Sequence, residues 1–269
     1  MGSNPTLPAV RKPMPISVVL TTREFAWAAG FFDAEGSVVL RRQRRSWRLE
    51  LEVTQGGDTI PAVLHRIHAA FAGRGMITGP RRGYLYYWRA SSRPDIDAVA
   101  RVLGPWITEP KRSELEAAGR QVGHALLLTP RADQQRDPEL AWAAGFFGGD
   151  GTTSAGHDRS VGPEYRSLKV GVPQATVDRS VPPVLTRFHA AVGGAGSVRG
   201  PYVLKNPWSR LPQFVWSVSG IRGSEPVLER IWPWLDETKR DQARTAIRAA
   251  RAGGPHRPMP PPNPCFELS

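Results

Sequence analysis

The chain has 269 residues, 40% of them hydrophobic, and carries 36 basic against 24 acidic side chains for a formal charge of +12. Such a length accommodates one large or two ordinary domains with a proper core, and the lone cysteine, Cys265, excludes an internal disulfide framework and a cysteine-built zinc site. No apolar run approaches the roughly 20 residues that span a bilayer and no signal-peptide core opens the chain, so a soluble intracellular protein with no membrane partner is expected. The cationic surplus points instead to a nucleic acid.

Residues 1–20 hold Pro5, Pro8, Pro13 and Pro15 without sustained periodicity and read as a flexible lead-in. Thr21 followed by Glu24 predicts a capping box for a first helix, which ends at Glu35-Gly36. Two strands follow over 37–45 and 47–55, the second alternating Leu49, Leu51 and Val53 against Arg48, Glu50, Glu52 and Thr54. Asp58 is expected to cap a helix reaching Ala72. A strand pair over 75–78 and 84–90, a helix over 94–103 and a longer helix over 109–127 complete a first unit at 21–127.

The order then repeats. Leu64-His65-Arg66-Ile67-His68-Ala69-Ala70 is matched by Leu185-Thr186-Arg187-Phe188-His189-Ala190-Ala191, Gly79-Pro80 by Gly200-Pro201, and Pro105-Trp106 with Lys111-Arg112 by Pro233-Trp234 with Lys239-Arg240. Duplication of a whole unit is the reading. Residues 128–136 form the linker, Asp137-Pro138 supplies an N-cap and first helical residue for a second unit at 137–252, and the proline-rich stretch over 253–269 is expected to be disordered. The predicted fold class is α+β, with two pseudo-twofold αββαββα units, each a four-stranded antiparallel sheet backed by helices.

The repeat is sharpest at Ala28-Ala29-Gly30-Phe31-Phe32-Asp33-Ala34-Glu35-Gly36 and Ala143-Ala144-Gly145-Phe146-Phe147-Gly148-Gly149-Asp150-Gly151, with Trp27 and Trp142 one residue ahead. Alanine and glycine at helical spacing let two backbones approach closely. If these helices pack together, Glu35 and Asp150 meet at one point, where two carboxylates repel unless a cation lies between them. A divalent metal resolves that conflict. His65 and His68 lack a third ligand and carry no metal reading, and Trp106 and Trp234 read as core.

Helices on one side of each sheet leave the other face for a ligand. Alternation aims Ser37, Val39, Arg41, Gln43 and Arg45 at that side, joined by Arg48, Glu50 and Glu52; Thr78, Arg81, Arg82 and Tyr84 add reach from the later hairpin. In the second unit the equivalents are Thr152, Ser154, Tyr165, Ser167 and Lys169, with Arg199, Tyr202, Lys205, Arg210 and Gln213. Arginine forks and glutamine amides read guanine and adenine edges in the major groove. The two faces differ chemically, which predicts a non-palindromic duplex target.

The two motif segments resemble the paired motifs of LAGLIDADG homing endonucleases in their single-chain, two-motif form. That resemblance implies a monomeric, site-specific DNA endonuclease whose sheets form a saddle on double-stranded DNA, with no obligate protein partner. It implies cutting of both strands across the minor groove to leave 3′ overhangs. The motif acids Glu35 and Asp150, with the residues before them, Ala34 and Gly149, form the implied metal set. Mg2+ is the implied cofactor, with Mn2+ substituting and Ca2+ binding without cleavage. Gln55 and Gln174 are the implied water-ordering residues, and Lys111 and Lys239 the implied charge-stabilising ones. Gly148 departs from the motif, at a non-catalytic position. A non-catalytic DNA-binding regulator or an intron RNA maturase on the same scaffold remains an alternative, as does a nonspecific nucleic-acid coat protein. Abundant Arg, Ala, Gly and Pro suggest a GC-rich genome and a bacterial cytoplasm, with an organellar origin also open.

Overall fold

In the first helix, α1 (Thr22–Glu35), the Thr21 hydroxyl accepts the Glu24 N–H at 3.4 Å. Only that half of the expected box forms, because the Glu24 carboxylate is taken by Arg66 at 3.0 Å. Every residue from Ala26 to Phe32 is buried, as befits a helix that is apolar all round. Gly36 then lets the chain turn at once into a strand, since a Cβ there would overlap the Phe32 ring.

The computed structural model describes residues 21–129, 136–157, 166–203 and 211–252. After α1 come β1 (Gly36–Gln43), β2 (Ser46–Gly56), α2 (Ala62–Ala70), β3 (Met76–Arg81), β4 (Leu85–Ala90), α3 (Arg93–Leu103) and α4 (Glu109–Gln121). The second unit runs α5 (Arg136–Asp150), β5 (Thr152–His157), β6 (Arg166–Ala175), α6 (Pro183–Ala191), β7 (Ser197–Tyr202), β8 (Gln213–Ser219), α7 (Ile221–Ile231), a 3-10 turn (Trp232–Trp234) and α8 (Glu237–Ala252). Each unit forms a four-stranded antiparallel sheet, in the orders β1-β2-β4-β3 and β5-β6-β8-β7. The two-unit α+β expectation therefore holds. The lead-in, residues 130–135 of the linker and the proline-rich stretch after 252 lie outside the described residues.

Three local expectations need correction. Asp58 caps nothing: α2 starts after Pro61 with no side-chain cap, and Asp58 offers only its carbonyl, to the Tyr86 hydroxyl at 3.4 Å. α4 stops at Gln121 rather than continuing to 127, because the chain turns at Gly123 (φ +63°) and His124 N–H bonds back to Gly119. Asp137 sits inside the first turn of α5 rather than ahead of it, where it accepts from Arg23 of α1 at 2.6 Å.

The two units meet through α1 and α5. A Cβ on Gly30 would overlap the Trp142 carbonyl oxygen, and one on Gly145 would overlap the Trp27 carbonyl oxygen. The contact is thus reciprocal, backbone on backbone. Arginines brace it from both sides. Arg66 of α2 stacks 3.7 Å over Trp27, pairs with Glu24, and crosses to the Trp234 carbonyl of the other unit at 2.7 Å. Arg187 of α6 stacks 3.9 Å over Trp142, pairs with Glu139 at 3.0 Å, and crosses back to the Trp106 carbonyl. Beneath each sheet Trp88 packs on Phe71 and Trp216 on Phe188, both with ring centroids 4.8 Å apart.

A methyl group at Gly30 or Gly145 must push the helices apart. Gly30→Ala and Gly145→Ala are each expected to lose about 3 kcal/mol or more of stability. Gly156→Ala, where the nearest atom to a new Cβ lies 3.8 Å away, is expected to change it by less than about 1 kcal/mol. Urea denaturation of the three variants checks this.

Candidate active site and nucleic-acid face

Glu35 and Asp150 are the last residues of α1 and α5. The helices that cross at Gly30 and Gly145 deliver these ends to the same place: a Cβ on Gly149 would lie 2.5 Å from Ala34 Cβ and 2.8 Å from Glu35 Cγ. Both acids therefore stand at the negative ends of helix dipoles, partly buried and near each other. Burial, and then the charge of Glu35, pushes the Asp150 carboxyl up to about 7. Burial also raises Glu35, with Lys239 and Gln55 pulling the other way. Ala34 and Gly149 lie in the last helical turns, where carbonyl oxygens have no intrahelical partner.

Each sheet brings a glutamine to its acid. Gln174 of β6 donates to Asp150 at 2.5 Å, and Gln55 of β2 hydrogen-bonds Glu35. The helices α4 and α8 each bring a lysine. Lys111 Nζ donates to the Gly36 carbonyl at 3.0 Å and Lys239 Nζ to the Gly151 carbonyl at 2.5 Å, so each lysine is fastened to the residue just after a motif acid. Burial lowers the Lys239 ammonium pKa, while Asp236, Asp150 and Glu35 favour its charge. Lys111 has its own counter-ion, Glu114 at 3.0 Å. The six residues are thus assembled as two like sets, one per unit. Among the described residues no three His, Cys, Asp or Glu side chains gather to hold a metal; the donor set here is a pair of carboxylates with amide and carbonyl oxygens.

Asp33 was not singled out from the sequence. Its carboxylate accepts from Thr108 N at 3.1 Å, Thr108 Oγ1 at 3.0 Å and Trp142 Nε1 at 3.0 Å, and burial raises it to about 6. The one sequence signal was the mismatch of Asp33 with Gly148 in an otherwise matched repeat.

On the first sheet, Ser37, Val39 and Arg41 lie opposite Glu52, Glu50 and Arg48, so all share one face. Gln43 ends β1 beside Ser46, and Arg45 falls in the turn rather than on the strand. Glu50 and Glu52 are each only 6% exposed. Arg41 donates to both at 2.6 Å, and Arg89 of β4 reaches Glu52 at 2.7 Å, so these carboxylates are engaged by arginines rather than open. Arg89 escaped the sequence reading because only the Glu52 to Arg89 register, 37 residues apart, brings it in. Arg48 donates to the Ser91 carbonyl at 2.9 Å. Thr78 and Arg81 lie on β3, with Arg81 stacked 4.9 Å over Tyr87, and Arg82 and Tyr84 occupy the exposed turn. On the second sheet Thr152 and Ser154 stand opposite Gly171 and Lys169, while Ser167 is buried opposite Gly156. Arg199 and Tyr202 lie on β7 and Gln213 on β8. Tyr165, Lys205 and Arg210 lie outside the described residues.

Two sheets, each backed by helices and joined through a pair of glycine-lined helices that end in acids, define the LAGLIDADG homing endonuclease fold. Solved structures with that architecture align over most of the chain. LAGLIDADG meganuclease I-AabMI bound to uncleaved DNA is 14% identical with a TM-score of 0.59, covering 85% of this chain and 90% of its own. LAGLIDADG homing endonuclease I-GzeII in complex with its DNA target is also 14% identical, with a TM-score of 0.54 and the same coverage. Meganuclease I-SmaMI bound to uncleaveable DNA with a TTCT central four is 18% identical with a TM-score of 0.54, covering 83% of this chain and 90% of its own. No protein-family model matches the chain, and no curated protein matches it significantly. The likeness at these identities establishes the fold. Among the described residues no helix is long and apolar enough to cross a membrane.

The raised Asp150 has a stability consequence. Its unfolded form ionises near the ordinary 3.8 of an aspartate and its folded form only at about 7, so as pH rises the unfolded state loses its proton first. Stability associated with the protonated acid is full below about pH 4 and is lost by about pH 7. In metal-free protein, Asp150→Asn is expected to stabilise the fold at pH 8 relative to wild type, with the difference shrinking towards pH 4. Thermal melts of the two proteins across that range test it.

Proposed function

We propose that the chain is a site-specific DNA endonuclease that makes metal-dependent double-strand breaks at a long, asymmetric target, cutting across the minor groove to leave 3′ overhangs. The observation that carries this reading is the doubled set Glu35, Gln55, Lys111 and Asp150, Gln174, Lys239, in which each acid holds a glutamine and each lysine is tied to the glycine after the acid. The sheets that supply the glutamines carry arginine and lysine on their open faces, and the similar solved structures are bound to DNA.

The site suits a hard divalent cation. All its donors are oxygen, the carboxylates repel each other, and the last-turn carbonyls lack partners. Mg2+ binds through one or two carboxylates and completes its shell with waters and substrate phosphate oxygens, which accords with two acids and no third. Glu35 and Asp150 would hold it, with the carbonyls of Ala34 and Gly149. Bound there, the cation would supply Lewis-acid stabilisation of the scissile phosphate and a more acidic water. Mn2+ is expected to substitute, and Ca2+ to bind without supporting cleavage.

The remaining work falls to the chain. Lys111 and Lys239 place a positive charge beside each acid, where it opposes charge building on the phosphate oxygens. Gln55 and Gln174 fix the acids' orientation and can order a water at each site. Arg41 and Arg89, braced by Glu50 and Glu52, face the duplex from the first sheet, while the second offers Thr152, Ser154 and Lys169. Unlike faces imply unlike half-sites. The protein would act as a monomer on DNA in the cytoplasm.

The test is cleavage of a randomised plasmid library in Mg2+, in Ca2+ and in EDTA, with the ends sequenced. Discrete ends that need Mg2+, and that fall about 100-fold or more in Glu35→Gln and Asp150→Asn, are the expected outcome. Selective binding without a cut under any metal would replace this reading with a DNA-binding regulator or an RNA maturase.

A further inference from the structure

The two units differ at one place in a way that explains how the lysines are held. Trp27 and Trp142 occupy equivalent positions and both are wholly buried. The Trp142 indole N–H donates to Asp33, whereas the Trp27 indole N–H is buried with no partner. Gly148 stands in the second unit where Asp33 stands in the first. The missing carboxylate has not vanished. Asp236, just before α8, places Oδ2 3.4 Å from where a Cβ on Gly148 would sit.

The consequence is an exchange of roles at the starts of α4 and α8. Asp236 Oδ1 accepts the Lys239 N–H at 3.0 Å, holding the first turn of α8 directly. Its counterpart Thr108 makes no side-chain cap bond to α4. Instead Thr108 donates its hydroxyl at 3.0 Å and its N–H at 3.1 Å to Asp33 of α1. Each lysine is the third residue after this anchor, and each Nζ reaches the glycine carbonyl beyond its own motif acid. One carboxylate per unit thus fixes where a lysine-bearing helix begins, supplied by the motif helix in the first unit and by the cap in the second.

We propose that Asp33 is the positioning residue for Lys111, doing through Thr108 what Asp236 does for Lys239. Its effect on cleavage rests on the nuclease reading; its effect on α4 does not. Asp33 touches no substrate; it reaches Lys111 through Thr108, while its bond from Trp142 lies about two turns before Asp150 on α5. Loss of Asp33 should therefore impair one active site and spare the other, and moving the carboxylate to position 108 should restore it.

The experiment compares wild type, Asp33→Ala and Asp33→Ala with Thr108→Asp, which copies the second unit's arrangement. Amide hydrogen exchange reads the first turns of α4 and α8, and strand-resolved nicking of the cleaved target reads the two active sites. In Asp33→Ala, exchange at Thr108 and the first turn of α4 should rise about 10-fold or more while α8 is unchanged. Cutting of one strand should slow by about 10- to 100-fold, so that singly nicked DNA accumulates. The double variant should recover the protection of the first turn of α4 and the strand balance. Equal slowing of both strands, unchanged exchange in α4, or a double variant that recovers neither would overturn the proposal. If Asp33→Ala does not fold, a folded double variant with normal strand balance supports it and an unfolded one overturns it. If wild-type protein cuts no DNA, the nuclease reading fails, and the exchange pattern with its recovery alone decides the role of Asp33.

Discussion

The close crossing of α1 and α5 is the constraint on which the rest depends. Helices with ordinary side chains pack at 8–10 Å between axes; here glycine lets the carbonyl of each helix rest where the other's Cβ would be, at Gly30 against Trp142 and at Gly145 against Trp27. Everything that meets between the units follows from that separation. The helix ends bring Glu35 and Asp150 together, the glycines after them release the chain into β1 and β5, and those strands set the register that carries Gln55 and Gln174 to the acids. Arg66 and Arg187 show how firmly the crossing is held, since each spends one guanidinium on a tryptophan face, a glutamate and a carbonyl of the opposite unit.

The same crossing creates the site's electrostatic tension. Two acids at helix C-termini stand near each other and near two negative dipole ends; burial raises both, and the charge of Glu35 adds to the rise of Asp150 to about 7. The lysines relieve this only in part. Lys239 lies in the field of Asp236, Asp150 and Glu35, whereas Lys111 also answers to Glu114. The two halves are therefore alike in plan and unlike in charge, and the difference extends to the sheets, where a braced arginine cluster in the first unit corresponds to small and singly charged residues in the second.

Much of this could be read from the amino acids because duplication repeats the signals. Paired Ala-Ala-Gly-Phe-Phe segments gave the helix contact, and recurrence of lysine after Pro-Trp marked Lys111 and Lys239 before their bonds to Gly36 and Gly151 were visible. Alternation placed Arg41, Arg48, Glu50 and Glu52 on one face correctly. What stayed hidden depended on contacts between distant segments. Arg89 joins the glutamates only through strand pairing, and Arg66 and Arg187 stood inside a recognised repeat with nothing local to say that they cross between units. Asp58 misled because a helix start was inferred from a capping residue, while α2 begins after Pro61 with no cap at all.

The reciprocal glycine contact is an isologous interface, in which each half receives the face that it presents. A surface of that kind is self-complementary at its glycines, yet the Trp142 indole N–H finds its partner only in Asp33 of the unlike unit, where a second copy of its own unit would offer Gly148. Placing both on a single chain favours the mixed pairing, because the connection raises the effective concentration of each half at the other. Only the mixed pairing lets Asp33 and Asp236 coexist from different elements, and only the mixed pairing sets an arginine-rich sheet beside a plainer one. The connection between the halves then helps to preserve their differences, by bringing unlike partners together first.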